Sequence, residues 1–322
     1  MKSQAIIFPP YKNEPEKPLT EVQKEILRLK KEKDAVILAH NYVAEEIQRV
    51  ADFVGDSLGL SRQAKAAKES VIVFCGVHFM AETAKILNPT KTVVLPDLEA
   101  GCCLAESCKA EDLAELKKKH PDAMVISYIN CNADVKAISD LICTSGNALE
   151  LVKKIPADKE IIFCPDKYLG SWIIEQTGRD MILWNGSCYA HEEYDAESIL
   201  EMKKEFNAPA VGHPECPRAV RQACDCVCST EKMIAWAKNH PSDKIIVVTV
   251  TEMIHRLRKA VPEKTFIAAR LEHKPCQHCK FMQKNTAEKL LNCLKTMRPE
   301  ITLSPEIIAK AAHSINKMLE MS

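Results

Sequence analysis

Three segments of this chain share one pattern at nearly constant spacing, which confines the fold to an internally repeated architecture. DFVGDS (Asp52 to Ser57), DLICTS (Asp140 to Ser145) and DCVCST (Asp225 to Thr230) lead with aspartates that stand 88 and 85 positions apart. Twelve residues before each aspartate an apolar run ends, at His40 in VILAHNY, Tyr128 in VISYIN and His213 in AVGHPE. Further runs then follow in one order: VIVFCG, EIIFCP and KIIVVT, and after them TVVLPD, MILWNG and TFIAAR. The lead-in segments rhyme too, EILRLKKEKDAVI with LAELKKKHPDAMVI and more loosely with ILEMKKEFNAPAV. Chance does not keep that many landmarks in register three times.

Between the apolar runs the period turns helical, as in LGLSRQAKAAK, NALELVKKI and EKMIAWAKNH. Each unit therefore reads as about four short strands alternating with helices, the pattern of a parallel sheet covered on both faces. The expected organisation is a tail over residues 1–19, α/β units over 20–106, 107–191 and 192–284, and a closing helical segment over 285–322. Ligands of open parallel sheets bind beyond the carboxyl ends of the strands. Three α/β/α units in a pseudo-threefold arrangement would point three such edges at one central active site.

Fifteen cysteines in 322 residues are the compositional anomaly. No apolar leader precedes them, so a disulfide framework is not the expectation, and a cytoplasmic protein is. Cys75, Cys143 and Cys164 sit inside apolar runs and read as small buried hydrophobes. After the last strand of each unit, however, comes a further cysteine: Cys102 or Cys103, then Cys188, then Cys276 or Cys279. With Cys102, Cys188 and Cys279 the separations are 86 and 91, close to the repeat. One thiolate per unit suits a 4Fe–4S cluster with three cysteine ligands and one open iron. Cys224, Cys226 and Cys228 form the densest run, but Cys226 and Cys228 match Phe53/Gly55 and Leu141/Cys143 in the other units, which favours local packing.

The strand ends also collect polar groups. Ser57, Ser145 and Thr230 each close a short strand and open a helix, so they are predicted N-caps and, as helix N-termini, anion sites. His40, Asn41 and Tyr42, then Tyr128 and Asn130, then His213 and Glu215 occupy the earlier strand ends. Histidines, tyrosines and a glutamate at equivalent positions are acid–base equipment. The 44 basic and 44 acidic residues cancel, so no global field recruits nucleic acid or an anionic membrane. No apolar run approaches the length of a membrane span.

ILAHNY, ADFVGDS, GVHFMAE, ICTSGNA, HPEC and MQKNT resemble, in that order, the segments of the quinolinate synthase family. The resemblance runs from about residue 20 to the C-terminus. It implies three α/β/α domains, one 4Fe–4S cluster per chain on Cys102, Cys188 and Cys279, and condensation of iminoaspartate with dihydroxyacetone phosphate to quinolinate, phosphate and water. It places substrate binding and catalysis on His40, Tyr42, Ser57, Tyr128, Asn130, Ser145, His191, His213, Glu215 and Thr230, with Ser229 beside them. Tyr42, Glu215 and the histidines His40 and His213 are the expected proton carriers. It also implies a functional link to the aspartate oxidase or dehydrogenase that makes iminoaspartate. A diphthamide-type radical enzyme shares three domains and one cysteine from each, but HNY and HPEC favour the condensing enzyme. A non-catalytic cysteine-rich carrier is disfavoured because the proposed ligands lie about ninety residues apart.

Overall fold

A computed structural model describes residues 4–13 and 17–322. Thirteen strands are present among them: β1 (Ile7–Phe8), β2 (Ala35–His40), β3 (Phe53–Gly55), β4 (Val71–Cys75), β5 (Thr92–Val94), β6 (Met124–Tyr128), β7 (Leu141–Cys143), β8 (Ile161–Cys164), β9 (Ile182–Leu183), β10 (Ala210–Gly212), β11 (Cys226–Val227), β12 (Lys244–Val248) and β13 (Thr265–Ala268). They form three sheets, ordered β3-β2-β4-β5, β7-β6-β8-β9 and β11-β10-β12-β13-β1. The fold is thus α/β with several short parallel sheets, and the second-first-third-fourth order recurs in each. Register recurs as well. Leu38 pairs with Phe53, Ile126 with Leu141 and Val211 with Cys226, each fifteen positions on.

The repeated aspartates explain that register. Oδ2 of Asp52 accepts the backbone N–H of Ile37, that of Asp140 accepts Val125, and that of Asp225 accepts Ala210, each at 2.8 Å. The aspartates' own N–H groups donate back to the carbonyls of Ile37, Val125 and Ala210. A lysine from the lead-in helix completes each set: Lys30 to Asp52 at 2.6 Å, Lys117 to Asp140 at 3.3 Å and Lys203 to Asp225 at 2.9 Å. One carboxylate therefore satisfies an otherwise unpaired strand donor and locks the first two strands of its sheet. Sequence reading used these aspartates as landmarks only. The missed signal was a lysine 22 or 23 residues upstream of each.

The chain divides into two compact units, one of Leu19–Ser187 with Lys280–Ser322, the other of Met1–Pro18 with Cys188–Cys279. In the first, all six residues of β2 are buried, and Ile37 and Leu38 are wholly inaccessible. Burying such side chains stabilises by about 1.5–3 kcal/mol each. The helix Pro305–Met321 is capped by Ser304, whose hydroxyl accepts the N–H of Ile307, and buries Ala311, Ser314, Ile315 and Met318. In the second unit, Ile246, Val248 and Ile267 of the sheet pack with Ile199, Met202 and Val220 of the helices. Ile7 and Phe8 add an antiparallel edge to β13, opposite Ile267 and Phe266. The Arg258 guanidinium lies over the Tyr11 ring, 4.9 Å from its centroid, and donates to the carbonyl of Pro9.

Candidate active site

In the unit containing Cys188–Cys279, strand ends deliver a buried acid–base cluster. His213 follows β10, Glu215 lies two residues on, and His191 sits on the short helix Tyr189–Glu192. His191, His213 and Glu215 are 1%, 3% and 4% exposed, so their polar atoms must find partners within the protein. Nδ1 of His191 is 2.9 Å from Oε2 of Glu215, and its Nε2 is 2.8 Å from Oγ1 of Thr249. That network assigns the His191 proton to Nδ1, donating to the carboxylate, while the Thr249 hydroxyl donates to Nε2. Thr249 follows β12, and its carbonyl accepts the Tyr194 hydroxyl at 2.7 Å. Thr249 escaped sequence reading because nothing in VVTVTE marks one threonine over the next.

The His213 ring stacks on His191 with centroids 4.9 Å apart. Its Nδ1 accepts the backbone N–H of Glu215 at 3.4 Å. The same turn recurs in the other unit, where Nδ1 of His40 accepts the N–H of Tyr42 at 3.2 Å. Both turns leave the proton of a neutral ring on Nε2, the opposite tautomer from His191. The Tyr42 ring meets His40 edge-on, centroids 4.8 Å apart. Tyr128 ends β6 and is buried, and Oδ1 of Asn130 is buried without a hydrogen-bond partner among the described residues.

The predicted N-caps are shifted by one residue or more. Asp56, not Ser57, caps the helix Ser57–Ala66, accepting the N–H of Gly59 at 2.8 Å. Ser229, not Thr230, holds the cap position of the helix Thr230–Asn239. Ser145 lies in the turn before the helix Ala148–Lys153, whose entry is held by Oδ1 of Asn147 accepting the N–H of Thr144. The cause is the same in each case: another residue with extended backbone, or a turn, precedes the helix. Ser57, Ser145 and Thr230 are therefore not engaged in capping. Ser229 is 1% exposed, yet among the described residues its hydroxyl makes neither a cap bond nor any other.

The cysteines separate into kinds. Burial pushes the Cys75, Cys143 and Cys216 thiols well up, as expected of small hydrophobes in a core. Cys102 and Cys188 are half-buried with extended backbone, each opening a short helix without a side-chain cap bond. Cys279 is half-buried in the segment after β13. Sγ of Cys188 (3.2 Å from Nδ1 of His191), a ring nitrogen of His191 and a Glu215 oxygen lie within 4.8 Å of one another, a donor set able to face a metal once that nitrogen gives up its proton. The Cys103 thiol reaches the carbonyl of Ser187 at 3.6 Å, and the Cys276 sulfur is 3.2 Å from Nε2 of His278.

Parallel sheets whose strand ends present buried imidazoles, a carboxylate and half-buried thiols define an α/β enzyme. The chain matches the family model described as quinolinate synthetase A protein over residues 24–320. It is 51% identical over 300 residues to the quinolinate synthase of Synechococcus sp., covering 92% of this chain and 94% of that one. The quinolinate synthases of Microcystis aeruginosa and Thermosynechococcus vestitus are 50% and 49% identical, over 92% and 91% of this chain and 94% and 93% of theirs. The chain belongs to the quinolinate synthase family. That membership sets aside the diphthamide-type and carrier readings. Among the described residues no helix is long and apolar enough to cross a membrane.

Proposed function

We propose that this protein condenses iminoaspartate with dihydroxyacetone phosphate to give quinolinate, phosphate and water, a step of NAD biosynthesis. The observation that carries the reading is the buried cluster of His191, His213 and Glu215 in a chain of this family. Forming a pyridine ring needs carbon–carbon bond formation, tautomerisation, imine closure and dehydration, and each step moves protons. Glu215 takes and returns a proton at Oε2, with His191 Nδ1–H fixing that oxygen. Tyr42 and His40 serve the same purpose in the other unit. The substrates' carboxylates and phosphate call for uncharged donors. The unengaged Ser229 hydroxyl, with Ser57, Ser145, Thr230, Tyr128 and Asn130, supplies them.

Cys102, Cys188 and Cys279 would hold one 4Fe–4S cluster. Support comes from their equivalent places after β5, β9 and β13. When bound, such a cluster supplies a Lewis-acidic iron for a substrate oxygen. The three sheets' shared topology supports α/β units over 20–106, 107–191 and 192–284 in a pseudo-threefold arrangement. A cytosolic setting fits a composition of fifteen cysteines in a chain of this size, and an aspartate oxidase or dehydrogenase is the expected source of iminoaspartate. The test is anaerobic purification and an assay with dihydroxyacetone phosphate and freshly generated iminoaspartate. Quinolinate formed in step with phosphate supports the proposal; phosphate release without quinolinate, or neither, refutes it.

A further inference from the structure

Cys226 lies in β11 and Cys228 directly follows it, at the outer edge of the sheet β11-β10-β12-β13-β1. Residues two apart on a strand face the same way, and these two sulfurs are 3.8 Å apart. Cys226 is half-buried, and Cys228 is buried. The pairing register makes Phe53 and Gly55, and Leu141 and Cys143, the matching positions of the other sheets. Packing in this fold therefore does not require two thiols there. Cys224 is occupied elsewhere. Its sulfur lies 2.7 Å from where a Cβ on Gly212 would stand, and it packs against the core of that unit.

Two chemistries suit a close dithiol, and distance separates them. A disulfide needs its sulfurs at about 2.05 Å. Reaching that from 3.8 Å requires the two side chains to turn toward each other on a strand held by the Val211–Cys226 pairing and by the Cys228 N–H donating to the Gly212 carbonyl at 3.0 Å. Two sulfurs bound at about 2.3 Å to a tetrahedral ion lie about 3.8 Å apart with no such movement. We propose that Cys226 and Cys228 form a second metal site, a two-thiolate clip for a thiophilic d¹⁰ ion such as Zn²⁺, with water or a small thiol completing the coordination. Binding forms two metal–sulfur bonds and releases one proton from each thiol, with no change of oxidation state.

The test uses anaerobically purified protein with its iron in place, titrated with zinc ion against a chromophoric chelator. Wild type is expected to take up one more zinc ion per chain than either Cys226→Ser or Cys228→Ser, at equal iron content. Cys224→Ser and Cys276→Ser should bind as wild type does. On wild type alone, saturating zinc should slow alkylation of Cys226, read by mass spectrometry, by about tenfold or more, since only an exposed, unligated thiolate reacts. Equal zinc uptake in wild type and both serine variants overturns the proposal. So does an alkylation rate at Cys226 that zinc leaves unchanged.

Discussion

Replacing Glu215 by glutamine separates its chemical role from its structural one. The amide carbonyl can still accept the Nδ1–H of His191, now 2.9 Å from Oε2, so the shape of the cluster survives. Exchanging a charged acceptor for a neutral one in a buried hydrogen bond costs about 1–2 kcal/mol, within the margin of about 5–15 kcal/mol that keeps a protein folded. What the amide cannot do is accept and return a proton. Loss of a general acid–base group lowers turnover by about 10²–10⁴-fold, or roughly 3–5 kcal/mol of barrier. The assay is anaerobic quinolinate formation, with iron counted and thermal unfolding followed on the same preparation. Near-native turnover would remove Glu215 from the chemistry. Iron loss from a folded variant would instead make Glu215 a metal ligand beside Cys188 and His191, which are within reach of it.

Three further outcomes follow from particular contacts. Alanine at Asp52, Asp140 or Asp225 should destabilise by about 1–3 kcal/mol, because a strand N–H loses its acceptor, with iron content unchanged; chemical denaturation checks it. Against the cost of burial, the Ala210 N–H and the Lys203 ammonium hold the Asp225 carboxyl below its usual range. Its contribution is therefore complete above the unfolded value near ~4 and is lost as pH falls through the lower folded value, and Asp225→Asn should flatten that acid limb of the unfolding curve. Asp56→Ala should cost about 1 kcal/mol as a lost N-cap, whereas Ser145→Ala and Thr230→Ala should weaken quinolinate binding, read in a calorimetric titration, more than they lower the melting temperature.

The repeat made the sheets legible. Continuous apolar runs became buried parallel strands, and the aspartate spacing became one register in three sheets. Chemistry at the strand ends was legible for the same reason: His40 and His213 occupy equivalent turns with equivalent Nδ1 partners. What escaped depends on atomic detail that spacing does not carry. The cap positions moved to Asp56 and Ser229 because a shift of one residue changes the φ/ψ of a helix entry without changing the hydrophobic pattern. The β1 edge consists of two residues paired with a strand more than 250 positions away, too short and too distant for periodicity to register. Thr249 became visible only once the fold had set it against His191.

The proposed cluster ligands are three thiolates, one after the last strand of each sheet. Iron and acid-labile sulfide per chain, counted anaerobically across single cysteine-to-alanine variants, test that assignment most directly. Cys102→Ala, Cys188→Ala and Cys279→Ala should each lose the cluster and its brown absorbance. Cys103→Ala, Cys276→Ala and Cys224→Ala should keep close to four irons per chain, the complement of one 4Fe–4S cluster. Loss of iron in Cys276→Ala with retention in Cys279→Ala, or an iron site that depends on Cys224, would contradict it.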